Sequence, residues 1–61
     1  MDVIESGQGP YALHALYPAN KKYPKGVHVI TRTEVHQSAK DTRDIVLAAG
    51  VPAWVEGAES E

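Results

Sequence analysis

The sequence predicts a small α+β domain in which one helix covers one face of an antiparallel sheet. Residues 11–17 and 27–36 alternate apolar and polar side chains as strands do, and residues 39–49 place apolar side chains at helical intervals. The chain has only 61 residues, with no Cys and no Phe. A chain of this length buries only about 60% of the surface that its unfolded form exposes. The sequence therefore predicts a single, thin-cored domain over residues 11–56 and excludes a two-domain enzyme.

Residues 1–10 are predicted to form an irregular segment. They contain Gly7, Gly9 and Pro10, which are typical of turns and loops. The segment has no basic stretch followed by an apolar run, so it does not resemble a secretory signal. No apolar run in the chain approaches the roughly 20 residues that span a bilayer. We therefore expect order to begin near Tyr11, a cytoplasmic location and no membrane contact.

Residues 11–17 and 27–36 are predicted to be the two strands of a hairpin. A helix over residues 11–17 is the alternative, because Ala and Leu favour helices, but the flanking Pro10 and Pro18 argue against it. Residues 27–36 are rich in β-branched side chains, which favour strands. With residues 18–26 as the connecting loop, the larger apolar faces of both strands coincide. The register that results pairs Tyr17 with Val27, Ala15 with Val29 and Leu13 with Thr31.

A helix over residues 39–49 is predicted to follow the hairpin. Ser38 can cap its first turn through the side-chain hydroxyl, and Asp41 and Asp44 lie near the positive end of the helix dipole. Gly50 can end the helix in a left-handed conformation. The side chains expected to face the sheet follow helical spacing and are those of Thr42, Ile45, Val46 and Ala49.

Residues 51–56 are predicted to form a short last strand at an edge of the sheet, because Pro52 lacks an N–H and suits an edge. A helix that returns from the second strand lets this last strand run antiparallel beside the first. The predicted strands therefore have the order 2-1-3 in the sheet. Residues 57–61 are predicted to be a flexible acidic tail.

The helix is expected to leave one face of the sheet uncovered, and that face is the predicted association surface. A half-apolar bare face is typical of a contact surface, and a small chain without disulfides gains stability by covering it. We therefore expect a homo-oligomer or a bound target. Trp54 suits a core position and an interface position equally well. Strand alternation assigns to this face Ala12, His14, Leu16, His28, Ile30, Arg32 and, through its parity, Trp54.

The sequence contains no arrangement typical of a catalytic, metal or cofactor site. Ser6 lies in the irregular segment and Ser38 is explained as a helix cap, so neither is expected to be an activated nucleophile. His14 and His28 can approach each other as diagonal neighbours in the hairpin. Zinc needs a third ligand, however, and His36 lies roughly 26 Å along the strand from His28. We expect no catalytic residues, no metal ligands and no cofactor.

The charge of the chain is concentrated in its middle. All six basic residues lie between positions 20 and 43, where only two acidic residues oppose them, although the net charge is −2. Three lysines of the predicted loop surround one aromatic ring, a combination that can contact phosphates and stack on a base. A solvated loop tip is the simpler interpretation. The residues assigned to partner binding are Lys21, Lys22, Tyr23, Lys25, Arg32 and Trp54.

These observations favour a non-enzymatic protein-interaction module that acts as a steric inhibitor or regulator of a larger protein or nucleoprotein complex. In size and charge alone, the chain is similar to phage-encoded anti-defence proteins such as anti-CRISPR proteins, and no residue motif carries that likeness. The alternative is a small accessory protein that binds nucleic acid weakly through the loop at residues 20–26.

Overall fold

A computed structural model describes residues 1–57, which form a four-stranded mixed sheet with one helix packed on it. The α+β class is therefore confirmed. The order of the strands across the sheet is β1-β3-β2-β4, with β1 parallel to β3 and the other two pairings antiparallel. The elements are β1 (Asp2–Gly7), β2 (Tyr11–Tyr17), β3 (Val27–Thr33), α1 (His36–Ala48) and β4 (Ala53–Glu56).

The β2–β3 hairpin has the register that the apolar alternation predicts. Tyr17 lies opposite Val27, and Leu13 lies opposite Thr31. Because β2 is bonded on both sides, by β3 and by β4, it supplies most of the core. Its buried apolar residues are Ala12, Leu13 and Ala15.

The expectation that residues 1–10 are irregular is wrong, because Asp2–Gly7 forms β1 and pairs with β3 along its whole length. The predicted antiparallel sheet is incomplete for the same reason. Its three strands keep the order 2-1-3 as β3-β2-β4, but the order of the whole sheet differs because β1 lies outside β3, and its parallel pairing makes the sheet mixed. An edge strand that is exposed on both faces is held by backbone hydrogen bonds and needs no apolar alternation. Val3 and Ile4 are the only apolar side chains within β1, so the sequence shows no period-two pattern there.

The short connection from β1 to β2 crosses over the end of β3, and Gly9 makes this crossing possible. A methyl group on Gly9 would place its carbon 2.1 Å from the carbonyl carbon of Thr33. Gly9 also has φ +142°, which side-chain-bearing residues rarely adopt. The glycine that suggested an irregular segment is therefore required for β1 to reach its place in the sheet.

The second strand is shorter than predicted and the helix begins earlier. β3 ends at Thr33, whose hydroxyl accepts a hydrogen bond from the Val35 N–H at 3.2 Å and so turns the chain out of the sheet. Val35 is the residue before the helix, and no side chain caps the first turn. The predicted Ser38 cap is therefore wrong, because Ser38 lies within the helix. The predicted helix end is confirmed: Gly50 has φ +85° and its N–H donates to the Leu47 carbonyl.

The helix faces the sheet with a different side from the one predicted. Ala39 is buried against the sheet, whereas Ile45 is 71% exposed. Ala39 has a small side chain, which lets the helix approach closely, and the neighbouring long side chains lay their aliphatic stems along the sheet. The remaining half-buried positions repeat at the helical spacing of Ala39 and are His36, Lys40, Arg43 and Val46.

The last strand, Ala53–Glu56, is shorter than the predicted range 51–56. Val51 belongs to the turn that ends the helix and not to the strand, since its N–H donates to the Val46 carbonyl at 3.2 Å. Of the predicted tail at residues 57–61, residues 58–61 lie outside the described residues. The described part of the chain contains no helix with the length and apolar character of a membrane span.

Replacing Gly9 by Ala is expected to destabilise the fold more than replacing Gly50 by Ala. Both glycines have positive φ, but a methyl group on Gly50 would meet no atom within 4 Å. Gly50→Ala should therefore cost about 1 kcal/mol from backbone strain alone. Gly9→Ala adds a backbone clash and should cost about 3 kcal/mol or more. Urea unfolding followed by circular dichroism measures both losses, and equal losses would contradict the close crossing.

Candidate functional site

The face of the sheet opposite the helix, here named the open face, is the candidate site. The Tyr11 ring lies 4.7 Å from the ring of His36 in the helix, so the odd-numbered residues of β2 face α1. Residues paired across neighbouring strands point to the same face, so the pairings of β1, β3 and β4 extend this assignment to the whole sheet. The open face therefore consists of the even-numbered residues of β2, β3 and β4 and the odd-numbered residues of β1.

Three aromatic rings meet at the centre of the open face and form a ring cluster of His14, His28 and Trp54. The β2–β4 register places Trp54 directly opposite His14, and the two rings stack with their centroids 4.8 Å apart and their planes within 2°. His28 is diagonal to His14 across the hairpin, as predicted, and its ring lies 5.1 Å from that of His14. Strand pairing alone thus assembles the cluster.

The two imidazoles are joined by a hydrogen bond of 2.9 Å between His14 Nδ1 and His28 Nε2. On its other side, His14 Nε2 lies 2.6 Å from Glu56 Oε1. Within the described residues, His14 Nε2 is buried and has no hydrogen-bond partner, although this carboxylate lies close to it. The tautomers of the two imidazoles decide which ring donates in the bond between them. The cluster therefore holds the His14 ring between His28 on one side and Glu56 on the other.

His14 is 9% exposed although no helix or second sheet covers it. The flat Trp54 ring and the tilted His28 ring exclude water from His14 and take the place of a second layer. Trp54 itself is 39% exposed. One face of the Trp54 ring therefore packs on His14, while the residue keeps a large accessible surface.

Arg32 lies on the open face at the β1 side of the sheet, away from the lysines. Its guanidinium contacts Glu5 Oε2 through Nε at 2.7 Å and Nη2 at 2.6 Å. Arg32 is six residues beyond Gly26, which corresponds to roughly 20 Å along a strand. The structure therefore does not place Arg32 beside the basic loop.

The loop at residues 18–26 is held in one conformation by Asn20. Its side-chain oxygen accepts hydrogen bonds from the backbone N–H groups of Lys22 and Tyr23 at 2.8 and 2.9 Å. The Lys22 ammonium lies 5.6 Å from the centroid of the Tyr23 ring. Within residues 1–57, no carboxylate pairs with Lys21, Lys22 or Lys25. The loop therefore presents three unpaired cations around one half-buried ring.

The sequence analysis did not assign two residues of the open face, Glu5 and Glu56, to it. Glu56 has the same parity as Trp54 in the last strand, and that signal was sufficient to place it on the open face beside His14. Glu5 gave no such signal, because its place depends on the parallel pairing of β1 with β3.

The described residues contain no pocket and no group of three His, Asp or Glu side chains that could hold a metal ion. No protein-family model, curated protein or solved structure matches the chain. The functional argument therefore rests on the surfaces of the chain itself.

Replacing His28 by Leu is expected to lower the free energy of unfolding by about 1 to 3 kcal/mol, because the buried Nδ1 of His14 loses its partner. The double variant His14→Phe/His28→Leu leaves no imidazole nitrogen unpaired. Its loss should be smaller than the sum of the two single losses by about 1 kcal/mol.

Urea unfolding of the four proteins in this double-mutant cycle, followed by far-ultraviolet circular dichroism, measures the coupling. Circular dichroism of the backbone is chosen because Trp54 fluorescence would respond to the substitutions directly. Additive losses would contradict an energetic interaction between the two imidazoles.

Proposed function

We propose that this protein is a non-enzymatic, cytoplasmic interaction module that docks its open face against a larger protein and acts as a steric inhibitor or regulator. The observation that carries the proposal is the Trp54 ring, which is packed flat on His14 and yet leaves the residue 39% exposed.

A tryptophan in this setting has the properties of a binding hot spot. Trp is enriched among residues that dominate binding energy, because its large ring removes much apolar surface from water on contact. Stacking on His14 also fixes the ring before binding, so less side-chain entropy is lost in the complex. Pre-organisation of this kind favours a specific contact over a non-specific one.

The groups around Trp54 indicate the chemistry of the partner. The Glu56 side chain beside the cluster is 67% exposed and negatively charged. At the opposite edge of the open face, Val3 is 63% exposed next to the Glu5–Arg32 ion pair. A partner surface that presents an apolar group to Trp54 and a cation to Glu56 would complement this arrangement. A nucleoprotein defence complex is one such target in the proposal, supported only by the size and charge of the chain.

Replacing Trp54 by Ala is expected to weaken partner binding by about tenfold or more, the effect typical of losing a central aromatic contact. The matched control is Leu47→Ala, since Leu47 is 46% exposed on the helix and lies outside the open face. Tagged chains are used to recover partners from lysate, and the affinity for the recovered complex is then measured for each variant.

Both variants must keep the helical circular dichroism of the parent chain for this comparison. The proposal requires that Leu47→Ala binds as the parent does and that Trp54→Ala does not. Equal affinity of the two variants would refute docking through the open face.

The second candidate function is nucleic-acid binding through the loop at residues 20–26. It is supported by the three lysines that lack acidic partners among the described residues and by the ordered position of Tyr23 beside them. Contacts with phosphates release counterions, so binding of this kind weakens as salt rises.

Under this second function, the logarithm of the affinity for a labelled duplex should fall with the logarithm of salt concentration with a slope of roughly −3 for three phosphate contacts. The double variant Lys21→Glu/Lys22→Glu should remove most of the binding, whereas Lys40→Glu on the helix should have little effect. Anisotropy measurements at several salt concentrations give both results. Absence of binding at low salt would exclude this function.

A further inference from the structure

The outer edge of β1 is the longest unprotected edge of the sheet. Every residue of Asp2–Gly7 is exposed, and within the described residues the helix contacts β2, β3 and β4 but not β1. A strand in this position presents unpaired N–H and C=O groups that can bond to another strand.

The direction of these backbone groups follows from one hydrogen bond. The Asp2 N–H donates to the Gly26 carbonyl at 3.4 Å, so Asp2 points its backbone groups toward β3. Backbone direction alternates along a strand, and Ile4 and Ser6 therefore also point inward. The N–H and C=O groups of Val3, Glu5 and Gly7 point outward, away from the sheet.

The two edges of the sheet differ in their protection. β4 has only four residues and is preceded by Pro52, features that discourage further pairing. β1 has six residues and contains neither Pro nor Lys. Its one mid-strand charge, Glu5, is already paired with Arg32 of the same chain.

We propose that β1 pairs antiparallel with β1 of a second copy of this chain, about a two-fold axis that passes through Ile4. In this register, Val3 of each chain lies opposite the partner's Glu5. The outward N–H of each of these residues donates a hydrogen bond to the outward C=O of the other. Ile4 lies opposite the partner's Ile4 on the helix side of the sheet. The product is a continuous eight-stranded sheet with both helices on one face.

Charge and overlap select this register from its neighbours. A two-fold axis perpendicular to the sheet requires each residue to face a residue of the same parity. An axis through Glu5 would oppose two carboxylates, which is unfavourable. An axis through Val3 would shorten the overlap of the two β1 strands from residues 2–6 to residues 2–4. The axis through Ile4 gives the longest overlap without like charges in opposition.

The absence of Cys from the chain permits a direct test of the register. Ile4→Cys places two thiols opposite each other in a non-hydrogen-bonded pair with a Cα separation of about 4.5 Å, which suits a disulfide. Val3→Cys is the matched control, because its two thiols would lie about 8 Å apart or more, too far for a disulfide. Under mild oxidation, Ile4→Cys should form the disulfide-linked dimer about tenfold faster than Val3→Cys, since pairing raises the effective thiol concentration.

Light scattering of the unmodified chain at several concentrations provides the second measurement. The proposal requires a mass that rises from the 6.6 kDa of one chain toward twice that value. Val3→Pro removes one outward N–H without touching the bonds to β3 and should shift this rise to higher concentration. Circular dichroism shows whether the variant keeps its fold.

A single-chain mass at every concentration, or equal rates for the two cysteine variants, would overturn the proposal. Pairing of β1 does not rest on the proposed function, and Trp54→Ala should leave the dimer mass unchanged. Loss of partner binding with an intact dimer therefore concerns the open face, whereas loss of the dimer concerns β1.

Discussion

The width of one helix is the constraint on which the rest of this structure depends. An α-helix with its side chains is roughly 10 to 12 Å across, and strands are spaced about 4.8 Å apart, so one helix shields only two or three strands. Here the helix packs over β2 and β4 and reaches β3. The chain has no Phe, and its described residues form one helix and one sheet. Within residues 1–57, one face of the sheet and the whole of β1 therefore have no covering layer.

On the open face, the ring cluster shields His14 from water in place of a second layer. A buried imidazole normally requires partners for both nitrogens, and here His28 and Glu56 flank the two nitrogens of His14 while Trp54 covers the ring. These groups come from three different strands, so the cluster also fixes β3 and β4 against β2. Because the covering ring is itself at the surface, stability and recognition use the same residue. A larger core would have separated these roles.

The sequence predicts those parts of the fold in which side-chain burial has a clear period. The alternation in residues 11–17 and 27–33 is enough to fix the hairpin register and to bring His14 near His28. The helix start and the helix face depend instead on the turn at Thr33 and on the close approach of Ala39, which are tertiary effects. β1 is held by backbone bonds to β3, and backbone bonds leave no trace in the side-chain pattern. Glu5 was missed as a consequence.

The β1 edge and Trp54 in β4 lie at opposite ends of the strand order. β1 and β4 are separated by β3 and β2, which corresponds to about 14 Å between their axes. Pairing at the β1 edge would extend the sheet in its own plane, whereas docking on Trp54 would approach the sheet from above its open face. The two contacts therefore do not compete for the same atoms. A dimer formed through β1 would carry two Trp54 rings on one continuous face, and a partner with two matching sites would gain avidity from that arrangement without any new contact.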